Sequence, residues 1–196
     1  CVHTTAISTS IATASTAAFA EARARFPLAE AWLQRWHRRL DAYLDWALAH
    51  EAAGYRWQAA EVEQRRPLVL ADGEELLLKG RLDRIDQGAA GELVIDYKTQ
   101  GQQTLRDKLR HPGEDVQLPF YGLLSGAAEA MLVGLDDDRV TTHRLDGELT
   151  EAARLEGERL RAAFAMLHAG ARLPAHGAPH TCRYCEMAGL CRQARD

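Results

Sequence analysis

Lys79-Gly80-Arg81-Leu82-Asp83-Arg84-Ile85-Asp86, a short turn, and then Leu93-Val94-Ile95-Asp96-Tyr97-Lys98-Thr99 is the stretch that decides the fold. Leu82 and Ile85 with their neighbours read as one strand. Leu93 to Ile95 is an apolar run bounded by Gln87-Gly88-Ala89-Ala90-Gly91, which suits a second, buried strand. Together they predict a β-hairpin. On a strand, residues two apart share a face, so Asp96 and Lys98 leave on one side and Tyr97 on the other. Asp83 on the neighbouring strand can approach that side. Asp86, three residues past Asp83, falls on the opposite face and is expected to pair with Arg84 or another nearby cation.

Two acids and a lysine converging at the end of a sheet form a metal-dependent phosphodiesterase arrangement. The residues Gly80-Arg-Leu-Asp83-Arg-Ile-Asp86 and Ile95-Asp96-Tyr97-Lys98-Thr99 resemble the RecB-like branch of the PD-(D/E)XK nuclease superfamily. That branch also carries a Gln-x-x-x-Tyr element, matched by Gln117 and Tyr121. AddB-type helicase-nuclease subunits close the domain with iron-sulfur cysteines, and Cys182-x-x-Cys185-x5-Cys191 resembles that ending. An Asp-x-Lys alone is weak; four motifs in the right order are specific. The resemblance spans roughly residues 56–192 and implies a restriction-endonuclease-like α/β (α+β) core.

It also implies roles. Asp83, Asp96 and Lys98 would be catalytic. Asp83, Asp96, the carbonyl of Tyr97 and an early histidine, here His3, would hold Mg²⁺ or Mn²⁺. A solvated histidine near the terminus is the competing reading of His3. Gln117 and Tyr121 would grip the substrate strand or buttress Lys98. The partners implied are DNA and a helicase subunit or domain, with phosphodiester hydrolysis as the activity.

Composition bounds the rest. The 196 residues, 46% of them hydrophobic, suffice for one domain with a real core. No run approaches the roughly 18 apolar residues of a membrane span, and Cys1 to Ala20 lacks a signal-peptide pattern. Starting on Cys, the chain reads as a fragment of something longer. A net charge of −4 counts mildly against nucleic-acid binding, although metal-binding acids contribute to it. Four cysteines, three of them clustered, suit a metal site in a reducing compartment such as the cytoplasm.

Three parts are expected: a helical part over 1–54, the nuclease core over 55–169, and a Cys-rich clip over 170–196. Residues 1–18 show little periodicity. Phe19 to His50 reads as helical, divided at Pro27, with Trp32 and Trp36 in the core and Arg35, Arg38 and Arg39 on a solvated face. Gly54 ends the helix. Tyr55 to Arg65 reads as a strand, and Asp72-Gly73 marks a hairpin between Leu68–Leu70 and Leu76–Leu78. Glu61 and Glu63 share a face and read as surface residues. Arg106, Lys108 and Arg110 on a polar helix could meet phosphates or water equally well. A helix starting at Glu114-Asp115 carries Gln117 and Tyr121 one turn apart. Ala130–Leu135 and Val140–Leu145 read as strands joined by a plain turn, Asp136-Asp137-Asp138. Glu148 to Ala169 reads as an amphipathic helix along Leu149, Ala152, Leu155 and Leu160, with Gly157 its weak point.

The tail from Leu173 is too poor in apolar surface to pack alone. A structural clip on Cys182, Cys185 and Cys191 would hold it, either a 4Fe-4S cluster by resemblance or Zn²⁺ with His176 or His180 as fourth ligand. Two non-enzymatic readings stand beside the nuclease: a catalytically silent DNA-binding or scaffold module, and a zinc-stabilised partner-binding domain.

Overall fold

A computed structural model of the chain describes residues 2–110, 116–136, 139–145, 148–172, 182–183 and 185–191, with side chains for all of these but 2–7 and 188. Asp137 and Asp138, the His111–Asp115 segment, and His176 and His180 therefore lie outside the described residues.

Two long helices open the chain, α1 (Val2–Arg25) and α2 (Ala29–Ala52). The Ala/Ser/Thr-rich start is thus helical, contrary to its lack of period. Alanine is the strongest helix former, and Thr13, Ser15 and Thr16 return their hydroxyls to carbonyls four residues back. The helix rests on α2, where the indole N–H of Trp36 donates to Ser15 at 2.7 Å. Pro27 does divide the two helices. On α2, Leu33, Leu40 and Leu44 are buried, but Trp32 is 49% exposed, so it is a surface residue rather than a core one. Arg35 and Arg39 are not merely solvated either, since both reach Asp136 in the turn after the fourth strand. Gly54, at φ 98°, ends α2 in the left-handed region that glycine adopts without cost.

A five-stranded mixed sheet follows, its strands in chain order: β1 (Arg56–Val69), β2 (Glu75–Gly88), β3 (Gly91–Lys98), β4 (Glu129–Gly134) and β5 (Thr141–Arg144). β1 and β2 form a long hairpin around Asp72-Gly73, and Pro67 is tolerated because β1 is an edge strand. β2 and β3 are antiparallel and joined through Ala89-Ala90. β3 and β4 run parallel, which requires the crossover that α3 (Gln102–Arg110) and α4 (Gln117–Ser125) supply. β5 returns antiparallel, and α5 (Leu149–His168) closes the layer.

The alternation of β3 divides the core. Val94 joins Leu82, Ile85 and Leu132 under Leu105 of α3, Leu118 and Leu124 of α4 and Leu149 of α5. Leu93 and Ile95 face the other way, with Met131, Val133 and Trp46 of α2. A helix-covered sheet of this kind is an α+β fold consistent with the restriction-endonuclease-like core. Among the described residues no helix is long and apolar enough to cross a membrane.

One position of α5 differs from expectation. Leu149 is buried and Leu160 packs on the core as the stripe predicts, and Ala153, Glu156 and Gly157 are buried too, but Leu155 is 46% exposed. The helix meets α4 closely through Leu149 and the small residue Ala153. A Cβ at Gly122 would lie 2.8 Å from Leu149 Cγ and 3.2 Å from Ala153 Cβ. Gly122→Ala is therefore expected to destabilise the chain by about 1–3 kcal/mol in urea unfolding, through overpacking of this contact.

Candidate active site

The site forms where β3 ends against the start of α4. Buried Asp96 and half-buried Lys98 leave β3 on the α4 side, as two-residue spacing requires, with Lys98 Nζ 2.6 Å from Asp96 Oδ2. Gln117, the first residue of α4, ties them together. Its amide nitrogen donates to Asp96 Oδ1 at 2.6 Å and its carbonyl accepts from Lys98 Nζ at 2.6 Å. One turn on, the Tyr121 hydroxyl accepts from the same amide at 2.9 Å. α4 holds this pose because Leu118 and Leu124 are buried beneath it and Gly126, at φ 77°, ends it. Pro119 falls in its first turn, where a missing N–H is harmless.

Asp83 arrives from β2 at a local irregularity. Leu82 and Ile85 enter the same core, although Arg84 and Asp86 between and beyond them turn to α2. On the partner strand, between the pairs Ala60–Arg84 and Val62–Leu82, Glu61 has φ 55°, the one positive value for a non-glycine among the described residues. At this point Asp83 Oδ2 accepts a hydrogen bond from the backbone N–H of Tyr97 at 2.9 Å. Asp83 thus meets β3 beside Asp96. Burial raises the Tyr121 pKa; the Gln117 hydrogen bond opposes this, and the charges of Asp96 and Asp83 add to the rise. Tyr121 accordingly stays a neutral phenol in the field of both acids.

Behind Tyr97 lies a polar network the sequence reading did not assemble. Tyr97 points away from Asp96, as expected, and its hydroxyl meets Tyr43 of α2 at 3.2 Å and receives Arg84 Nη1 at 3.2 Å. Burial is the main cause of its raised pKa. Arg84 also clasps Asp86 through two bonds, of 2.7 and 2.8 Å, which bears out the expected pairing. His50 Nε2 lies 2.8 Å from Asp86 Oδ2 and stacks between Trp46 and Tyr55. Burial works against the charged guanidinium, but the bonds and charges of Asp86 and Tyr97 together more than offset it and raise the Arg84 pKa. The available signal was Tyr43, Trp46 and His50 at helical spacing on one face of α2.

The donor set suits a hard divalent cation. Two carboxylates and a main-chain carbonyl are oxygen ligands of the kind Mg²⁺ and Mn²⁺ take, and Asp96 already supports a cation, Lys98, at 2.6 Å. His3 belongs to the residues whose side chains are not described. Cys182, Cys185 and Cys191 are not disulfide-bonded and flank a short 3-10 helix (Glu186–Gly189), where Cys185 N–H bonds Cys182 O and Cys191 N–H bonds Met187 O. Their sulfurs are not gathered into a three-donor set. Among the described residues such a set, with donor atoms within 4.8 Å of one another, occurs at Asp72, Glu74 and His168, all exposed. As placed, the thiols do not fit a tetrahedral centre.

No curated protein matches the chain. A solved structure described as the crystal structure of SSO0001 is 18% identical, covers 88% of this chain and 82% of its own, and superposes with a TM-score of 0.46. The family model for the PD-(D/E)XK nuclease superfamily, whose members generally use Mg²⁺ or Mn²⁺, matches residues 3–192. With nearly its whole length matched, the chain belongs to the PD-(D/E)XK nuclease superfamily.

Proposed function

We propose that this chain is the deoxyribonuclease domain of a bacterial RecB-like, AddB-type helicase-nuclease acting in DNA repair and recombination. The observation that carries this reading is the closed set Asp96, Lys98, Gln117 and Tyr121, with Asp83 docked on the Tyr97 amide beside it. Asp83, Asp96 and the Tyr97 carbonyl would hold Mg²⁺ or Mn²⁺, which when bound supplies charge stabilisation for the phosphate and a more acidic water.

The remaining roles belong to the chain's own groups. The Lys98 ammonium orients the attacking water and offsets the negative charge that grows on the phosphoryl oxygens as the P–O bond breaks. Gln117 fixes the rotamers of Asp96 and Lys98 at once, so the pair is pre-set before substrate arrives. Gln117→Ala is expected to lower kcat about 10–100-fold with little change in KM, because it positions rather than binds. Arg106, Lys108 and Arg110 lie on α3, which follows β3 in the chain, and would meet phosphates. A structural cluster or zinc at Cys182, Cys185 and Cys191 requires those thiols to draw together, and it takes no part in the chemistry.

The test is digestion of linear single- and double-stranded DNA in Mg²⁺ or Mn²⁺ against a chelator control. Metal-dependent degradation is the expected result. A second reading, a silent DNA-binding or scaffold module, is favoured by the Lys98–Asp96 ion pair, which occupies an oxygen the metal would need. DNA binding with no cleavage in either metal would establish it and overturn the nuclease.

A further inference from the structure

A cleft of about 410 Å³ opens between α2 and β1 and is lined by Tyr43, Trp57, Glu61, Asp83, Arg84 and Tyr97. We propose that it is a subsite for one unpaired nucleobase next to the cleaved bond, and that it makes the enzyme selective for single strands. The proposal rests on the nuclease reading and deepens it.

Position comes first. Asp83 lines the cleft and also meets β3 beside Asp96, so the cleft adjoins the site through that one carboxylate, while Tyr43, Arg84 and Tyr97 line it from the α2 side of the sheet. The volume lies in the range of pockets that hold one small ligand, about 300–1,000 Å³. One nucleotide suits it; a duplex does not.

Charge then selects which part of the nucleotide enters. Of the charged groups at the cleft, Glu61 is paired with Arg81 at 2.7 Å and Arg84 with Asp86. A phosphate would need an uncommitted cation here. A neutral, planar base would not, and its amino groups can donate to carboxylates while its ring nitrogens and carbonyls accept from phenols. Tyr43 and Tyr97 place their hydroxyls together on the cleft wall, 3.2 Å apart.

Trp57 supplies the stacking surface. It is 59% exposed on edge strand β1, and the register of β1 against β2 shifts between Trp57 and Ala59. Such an irregularity re-aims a side chain out of the regular pleat. An exposed indole at the mouth of a polar cleft offers a π-face to a base. A base paired within a duplex cannot reach it without leaving its stack, and single-strand selectivity follows.

The test is equilibrium binding of a short fluorescein-labelled single strand, and of a blunt duplex, to the full chain in Ca²⁺. Trp57→Ala is expected to weaken single-strand binding about 5- to 100-fold, the loss of one base stack, and to leave the duplex within about twofold. Trp57→Phe should keep most of the affinity. An abasic residue stepped along the single strand should reproduce the loss at one position in wild type and add nothing in Trp57→Ala. Equal weakening of both substrates, an unchanged Trp57→Ala, or a flat abasic scan would overturn the subsite. A flat scan from a protein that still cuts DNA removes the subsite alone. A position-dependent scan from a protein that never cuts removes the nuclease reading and leaves the subsite.

Discussion

Asp96→Ala is expected to lower the rate of DNA cleavage by at least about 10²–10³-fold, the loss typical of removing one group that stabilises charge in the transition state. The carboxylate is 2% exposed and carries both Lys98 and Gln117, so its removal would take away the proposed metal oxygen and unhook the lysine together. Asp96→Asn is the sharper variant. It keeps the shape and the size of the side chain while removing the charge that a divalent cation needs. Both variants should keep the wild-type circular dichroism spectrum. Lys98→Ala should fall comparably, because the ammonium it removes lies 2.6 Å from Asp96. Cleavage by Asp96→Asn within tenfold of wild type would place the chemistry elsewhere.

The largest stability effect is expected at Asp86→Ala, about 3–5 kcal/mol, because it strands a buried charge. Asp86 is 0% exposed, receives two bonds from Arg84 and contacts His50. Arg84 is 8% exposed, so without Asp86 its guanidinium is left poorly hydrated. For a chain of this size the loss corresponds to a fall of roughly 6–20 °C in melting temperature. Arg84→Met in the Asp86→Ala background should recover part of the stability, since the uncompensated cation is then gone. A double-mutant cycle in urea reads that coupling directly. Additive losses would mean that the pair is not a unit. Because Arg84 also holds the Tyr97 hydroxyl, and the Tyr97 amide holds Asp83, this buried cluster connects the stability of the sheet to the geometry of the site.

The parts of the site that lay open in the sequence are those governed by a fixed local period. Asp96 and Lys98 two apart on β3, Gln117 and Tyr121 four apart on α4, and the apolar run Leu93–Ile95 each follow from backbone geometry alone. Their mutual approach came only with the parallel β3–α3–α4–β4 crossover, which lays the start of α4 over the end of β3. Where the period was weak or ambiguous, the reading was incomplete. Residues 2–18, within the part expected to be helical, have no stripe, and they are helical through alanine propensity and packing on α2. The leucines of α5 suggested one face, and Leu149 and Leu160 keep to it, but Leu155 is exposed.

The sequence by itself determined the strands and helices that carry the acids, the lysine and the glutamine, because side-chain direction along an element is set by its own geometry. Only the tertiary structure decided which faces are covered. Trp32 is left in solvent and Trp57 beside a cleft, and His50 is brought to Asp86, because burial depends on what another element places opposite. That information is distributed over residues far apart in the chain, and no local pattern holds it.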